Sequence, residues 1–306
     1  MSMVLDKSLL QEVALVKSGI SEAFIEKDWF VTQVMKILVE NPHPDFSIIF
    51  TGGTCLSKAH KLIERFSEDI DFRLIAPNLE AQSASKVRKI LSDFKKHITE
   101  LLKDDFQILK VEARDANRHL AFHLAYPTIC KPAEVLRPHI KLEFILSNLF
   151  LPAVELPVAS FINEVSRHIP EIKGILCINP VENAADKLSA LVWRISSRMR
   201  GIDDKQPDIV RHLHDLARLS ELALNHNEFA NLAKTTIERD APRAQILDNM
   251  STQEKILKMI EILETDNQYP KEYDSYVKAM VYNLNLPVPT FEEAVDKVRM
   301  LINRIE

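Results

Sequence analysis

Two neighbouring stretches carry residues that could do chemistry together. Phe50-Thr51-Gly52-Gly53-Thr54-Cys55-Leu56-Ser57-Lys58 runs from an apolar segment into a diglycine, and Arg65-Phe66-Ser67-Glu68-Asp69-Ile70-Asp71-Phe72 follows. On a strand, alternate side chains share a face, so Asp69 and Asp71 point one way and Ile70 and Phe72 the other. Paired carboxylates repel each other unless a cation lies between them. A hard divalent ion, Mg2+ or Mn2+, answers that need. A diglycine lets backbone N–H groups come close to a phosphate. Either motif alone is commonly a plain turn or solvated surface. In the order strand, diglycine, helix, strand, they predict a site for a nucleoside triphosphate and a metal. The chain has 5 Gly in 306 residues, and two of them are adjacent here, which sharpens that reading.

Further candidates surround this pair. Lys58, one turn into a helix predicted over 54–64, is a phosphate cation or a surface lysine. Ser67 bonds a phosphate or caps a turn. Glu143 lies on a predicted strand, 138–146, whose one face carries His139, Lys141, Glu143 and Ile145 and whose other face is apolar. A third carboxylate there would complete a metal site or act as a base. Glu26-Lys27-Asp28 is a lip of the site or, more commonly for such a triplet, the solvated face of an early helix. By pattern alone Lys187 is a surface lysine, and Arg211 with Asp215 is an ordinary i,i+4 ion pair. Arg194, Arg198 and Arg200, with Lys205 and Arg211 beyond, form the most basic run. It would contact RNA phosphates or be a solvated helix end. His119 and His123 share a strand face but stand about 13 Å apart by rise, too far to share a metal.

The elements that must position these residues divide the chain. Helices are expected over 7–41, closed by Asn41-Pro42-His43-Pro44, with Ser21 as an N-cap. A strand near 46–51, the helix 54–64 and the Asp-x-Asp strand 68–75 come next. A helix at 82–103 and strands at 107–113, 118–126 and 138–146 follow, then an edge strand bounded by Pro152 and Pro157. Ile175-Leu176-Cys177-Ile178 reads as a final strand. From about 160 onward the pattern is otherwise helical: 160–169, 181–200, 207–224, 226–238, 241–248, 252–265, 270–284 and 290–305. The predicted domains are 1–170, α/β with N-terminal helices, and 171–306, all-helical and contributing to the active-site cleft.

Composition narrows the class. Hydrophobic content of 46% and charged content of 27% are ordinary for a globular protein. A net charge of -5 gives no global nucleic-acid footprint. The three cysteines, Cys55, Cys130 and Cys177, show no CxxC pairing. A disulfide framework or a structural zinc site is therefore not expected, and a cytoplasmic location is. No apolar run approaches a membrane span.

Gly-Gly-Thr-x-Leu-x-Lys followed by Arg-Phe-Ser-Glu-Asp-Ile-Asp-Phe resembles the AbiEii/AbiGii family of nucleotidyltransferase toxins, which includes the MenT-type enzymes. Glu26-Lys27-Asp28-Trp29, Ala185-Asp186-Lys187-Leu188-Ser189-Ala190-Leu191 and Arg211-x-x-x-Asp215-Leu216 extend the likeness. The resemblance implies an α+β fold, a DNA polymerase β-like nucleotidyltransferase core with a mixed sheet, followed by an all-helical C-terminal domain. It implies transfer of NMP from an NTP to an acceptor, the tRNA 3′ end or the toxin itself, beside a cognate antitoxin. Its first motif maps onto Gly52, Gly53, Thr54 and Lys58, and its second onto Ser67, Asp69 and Asp71. Its third motif makes Lys187 a triphosphate ligand, and its fourth makes Asp215 an active-site carboxylate in competition with Glu143. The family's fourth motif often begins Arg-Asp, whereas Arg211 here precedes His212. Two other readings use the same parts: a non-catalytic nucleotide-binding or regulatory module, and a transferase that modifies protein with NMP or phosphate.

Overall fold

A computed structural model describes residues 5–17, 20–76, 79, 82–198, 209–243, 249–282 and 287–305. The chain divides into two compact units, residues 1–61 with 66–178, and 62–65 with 179–306.

The first unit is built on a seven-stranded mixed sheet. Its strands are β1 (Ser47–Thr51), β2 (Asp69–Ile75), β3 (Gln107–Arg114), β4 (His119–Ala125), β5 (Ile140–Leu146), β6 (Val154–Val158) and β7 (Ile172–Cys177), in the spatial order β3-β4-β5-β2-β1-β7-β6. The β2–β5 and β1–β7 pairs are parallel, and the rest are antiparallel. Alternation decides which face is covered. Ile70, Phe72 and Leu74 of β2, Leu142 and Phe144 of β5, and Leu120 and Phe122 of β4 are buried in one core. Helices α1 (Lys7–Val16), α2 (Glu22–Glu40), α4 (Ala84–Leu102) and α5 (Phe161–Val165) belong to this unit. In α4, Val87, Leu91, Phe94, Ile98 and Leu102 make the apolar stripe. Ser21 caps α2 through the Ala23 N–H, as its sequence signal predicts.

The second unit is helical: α6 (Pro180–Ser197), α7 (Val210–Leu224), α8 (Phe229–Asp240), α9 (Thr252–Thr265), α10 (Gln268–Met280) and α11 (Phe291–Asn303). Asn179 caps α6 ahead of Pro180, and capping boxes at Ser251/Glu254 and Thr290/Glu293 start α9 and α11. Helix α6 packs on α7, α8 and α9, and α7 packs on α10 and α11.

Several expectations need correction. The helix predicted over 54–64 is a three-residue turn, α3 (Gly52–Thr54), continued by a single π-helical turn, Cys55–Ala59. The His60 ring bonds the Ile178 carbonyl, Lys61 takes a positive φ, and residues 62–65 leave for the second unit, so helix cannot continue. The helix expected at 160–169 stops at Val165, and residues 241–243 form a 3-10 turn. The remainder of 241–248 lies outside the described residues, as do Arg200 and Lys205. Glu26-Lys27-Asp28 is not a solvated face, because all three side chains are buried.

Candidate active site

Strand β1 delivers Thr51 beside Asp71 of β2, in register. The next residue, Gly52, has φ +76°, a conformation that L side chains rarely adopt. A Cβ on Gly52 would stand 2.1 Å from Asp71 Oδ2, so the glycine backbone is seated against that carboxylate. Thr54 Oγ1 donates to the Asp69 carbonyl and ties the turn to the same strand. Gly53 and Thr54 are buried, and Ser67 is half-buried just before β2.

The two aspartates share the open face of β2, and a half-buried arginine engages Asp69. The Arg137 guanidinium bonds the Asp69 carboxylate, and the Arg137 N–H donates to Glu68 Oε2 at 2.9 Å. Lys27 Nζ lies against Glu68 Oε2 and donates to the Arg137 carbonyl at 2.6 Å. The line Lys27–Glu68–Arg137–Asp69 thus runs from the interior to the site. Burial pushes the Lys27 ammonium below its ordinary range, and the Glu68 charge opposes that shift.

Glu143 of β5 is in register with Asp71 on the adjacent strand. Neighbouring strands stand about 4.8 Å apart, so the Glu143 backbone lies next to that of Asp71, with its side chain on the same sheet face. Its oxygens accept from His119 Nε2 at 3.1 Å and from Lys141 Nζ at 2.7 Å. Burial alone would raise its carboxyl, but the His119 hydrogen bond and the Lys141 ammonium outweigh that and hold it at about 2. Three hard oxygen donor groups on one face, one of them fully ionised at neutral pH, suit Mg2+ or Mn2+.

Lys58, expected at the phosphates, is committed elsewhere. It is buried, with Nζ 2.5 Å from Asp28 Oδ1, while Asp28 Oδ2 accepts the Phe161 N–H at 2.7 Å. Glu26 completes the triplet by accepting from Thr128 Oγ1 and the Ile129 N–H. Each residue of Glu26-Lys27-Asp28 therefore ties down a different loop of the first unit.

In the second unit Lys187 and Asp215 meet. Asp215 is fully buried, with Lys187 Nζ 2.6 Å from Oδ2. Arg65 grips the same carboxylate through Nε at 2.7 Å and Nη2 at 2.6 Å. Burial would raise the Asp215 carboxyl, but the Arg65 and Lys187 cations hold it well below the carboxylate range. A carboxylate so engaged is a poor proton acceptor and a good anchor for a lysine. Two described residues of the basic run, Arg194 and Arg198, are engaged within this unit. Arg198 makes a bidentate pair with Glu272 at 2.9 and 3.0 Å, and Arg194 stacks over Trp193. Arg211 is half-buried on α7.

Sequence reasoning assigned no role to Arg65, Glu68 or Arg137, and it read Lys27 as solvated. Arg65 and Glu68 stand inside the quoted motif, so their positions were visible. Arg137 has no local signal at all.

The fold is similar to that of MenT4, a nucleotidyltransferase toxin from Mycobacterium tuberculosis H37Rv. The TM-score is 0.53 at 16% identity, over 97% of this chain and 99% of that one. A comparison with curated proteins gives no match. The sequence model described as nucleotidyl transferase AbiEii toxin, type IV TA system, matches residues 36–297, a span that contains the diglycine, the Asp pair, Glu143, Lys187 and Asp215. This chain belongs to the AbiEii family of nucleotidyltransferase toxins of type IV toxin–antitoxin systems.

Proposed function

We propose that the protein transfers NMP from an NTP to the 3′ hydroxyl of an RNA acceptor such as tRNA, using Mg2+ or Mn2+ held by Asp69, Asp71 and Glu143. The observation that carries this is the row of three carboxylates on one sheet face, with the Gly52 backbone packed against Asp71. When bound, the divalent ion neutralises triphosphate charge and acidifies the attacking hydroxyl. The Gly52–Gly53 backbone, with Thr54 and Ser67, receives the phosphates. The acceptor oxygen bonds to the α-phosphorus, the α–β bridging bond breaks, and pyrophosphate leaves with the bonding electrons. Glu143, with its low proton affinity, serves as a ligand, and the acceptor proton passes to water. The family motif makes Lys187 a triphosphate ligand, and Asp215 holds its ammonium within the second unit. The cognate antitoxin implied by the family is the natural partner.

The test is transfer of label from α-32P NTPs to bulk tRNA with and without Mg2+. Asp69→Ala and Asp71→Ala should each abolish it, and product mass should rise by one nucleotide. Undiminished labelling in either variant, or addition of phosphate alone, would refute the reading.

A further inference from the structure

A polar trough of about 350 Å³ lies on the open sheet face beyond Glu143. We propose that it holds the 3′-terminal nucleotide of a single-stranded RNA acceptor. The inference rests on the proposed reaction and assigns its acceptor subsite.

Strand register carries the argument. At one level across the sheet stand Thr51, Asp71, Glu143, Ala121 and Glu112, each in register with the next. The diglycine follows Thr51, on one side of Asp71, and the trough lies on the other side. In an in-line displacement the attacking hydroxyl and the leaving pyrophosphate occupy opposite sides of the phosphorus. If the phosphates sit on the diglycine, the hydroxyl must arrive over β5, β4 and β3.

The trough has suitable size and chemistry. Three strands span about 10 Å, and the volume is near the lower limit for small-ligand sites. That admits one nucleotide and excludes a duplex. Ala121, almost fully buried, leaves the floor low between Glu143 and Glu112. Arg114, Arg137 and Lys141 line the trough, from an exposed rim (Arg114 side chain 69% exposed) inward to Lys141 (28%). Glu112 and Glu143 each engage cations of this group, Arg114 at 2.8 Å and Lys141 at 2.7 Å. A guanidinium has five N–H donors and an ammonium three, so one carboxylate contact does not exhaust either group. His123 and His139 present paired rings, with centroids 4.8 Å apart and Nδ1 to Nε2 at 2.9 Å. Cations at a rim with flat rings inside are the parts that bind a phosphate and stack a base. A serine or threonine acceptor on a protein would use neither.

The test uses a short single-stranded RNA. Its periodate-oxidised 3′ ribose should be trapped by cyanoborohydride on Lys141, located by peptide mass spectrometry. Arg114→Glu should weaken binding of the unmodified RNA about tenfold and lower its log–log salt slope by about 1. NTP affinity should not change, and the melting temperature should move only slightly, since the exposed Arg114–Glu112 pair is weak and Lys110 still pairs Glu112. RNA that is extended by the enzyme but cross-links only outside the trough, with wild-type binding by Arg114→Glu, overturns this inference alone. Labelling of protein and never of RNA overturns the acceptor reading beneath it as well.

Discussion

Replacing Gly52 with alanine tests whether the diglycine is there to seat the Asp71 carboxylate. The new methyl would stand 2.1 Å from Asp71 Oδ2, 2.9 Å from its Cγ and 3.1 Å from its Cβ. Rotating the Asp71 side chain relieves the first two contacts but not the third, so the strand must also give by a few tenths of an ångström. The cheapest escape therefore moves the proposed metal-ligand oxygen itself. The positive φ adds about 1–2 kcal/mol for a residue with a Cβ. For a unit of this size that lowers the melting temperature by roughly 2–8 °C. A reacting group misplaced by an ångström costs on the order of 100-fold in rate. Initial rates of NMP incorporation, measured below the melting transition, should therefore fall about 100-fold or more while the protein stays folded. Gly174→Ala is the control. Its Cβ meets only the exposed Glu155 side chain, 2.4 Å from Oε1, which can swing away, so activity should persist. A folded Gly52→Ala protein within about threefold of the wild-type rate would refute the seating argument.

Asp215→Asn keeps the shape but leaves Arg65 and Lys187 without their shared anion, and should cost about 3–5 kcal/mol in urea unfolding. Adding Lys187→Met should recover part of that loss, and strict additivity would contradict the clamp. Stability should also depend on Glu143 at acid pH. Its carboxyl is held at about 2 when folded against 4.5 when free, so the folded state binds the proton less readily. Its contribution is full above about 4.5 and is lost as pH falls toward 2. Melting curves of Glu143→Gln should lack that part of the acid slope, and superimposable slopes would refute the assignment.

The local patterns were readable because they depend only on neighbours along the chain. Alternation placed Asp69 and Asp71 on one face of β2, and Lys141 and Glu143 on one face of β5. Apolar spacing marked α2 and α4, and Ser21 marked the start of α2. Pairing between distant residues was not readable. Lys58 looks like any helical lysine until Asp28, thirty residues earlier, is found beside it. Glu26-Lys27-Asp28 follows the polar pattern of a solvated face, yet its partners are Thr128, Glu68 and Lys58. A buried charge leaves no periodic trace, because what permits its burial is a counter-charge from elsewhere in the chain.

Residue order alone pointed to the kind of chemistry: a diglycine turn and an Asp-x-Asp pair stand between Phe50 and Phe72. Folding decided which other groups join them. Register of a parallel strand more than 70 residues on brought Glu143 beside Asp71, and Arg137 came to grip Asp69. Arg65 closed on Asp215 across 150 residues of chain and holds its carboxylate beside Lys187. The physical reason is one of range. Alternation and capping act over a few residues, whereas carboxylate position and proton affinity are set by whichever charges the fold brings within a few ångströms.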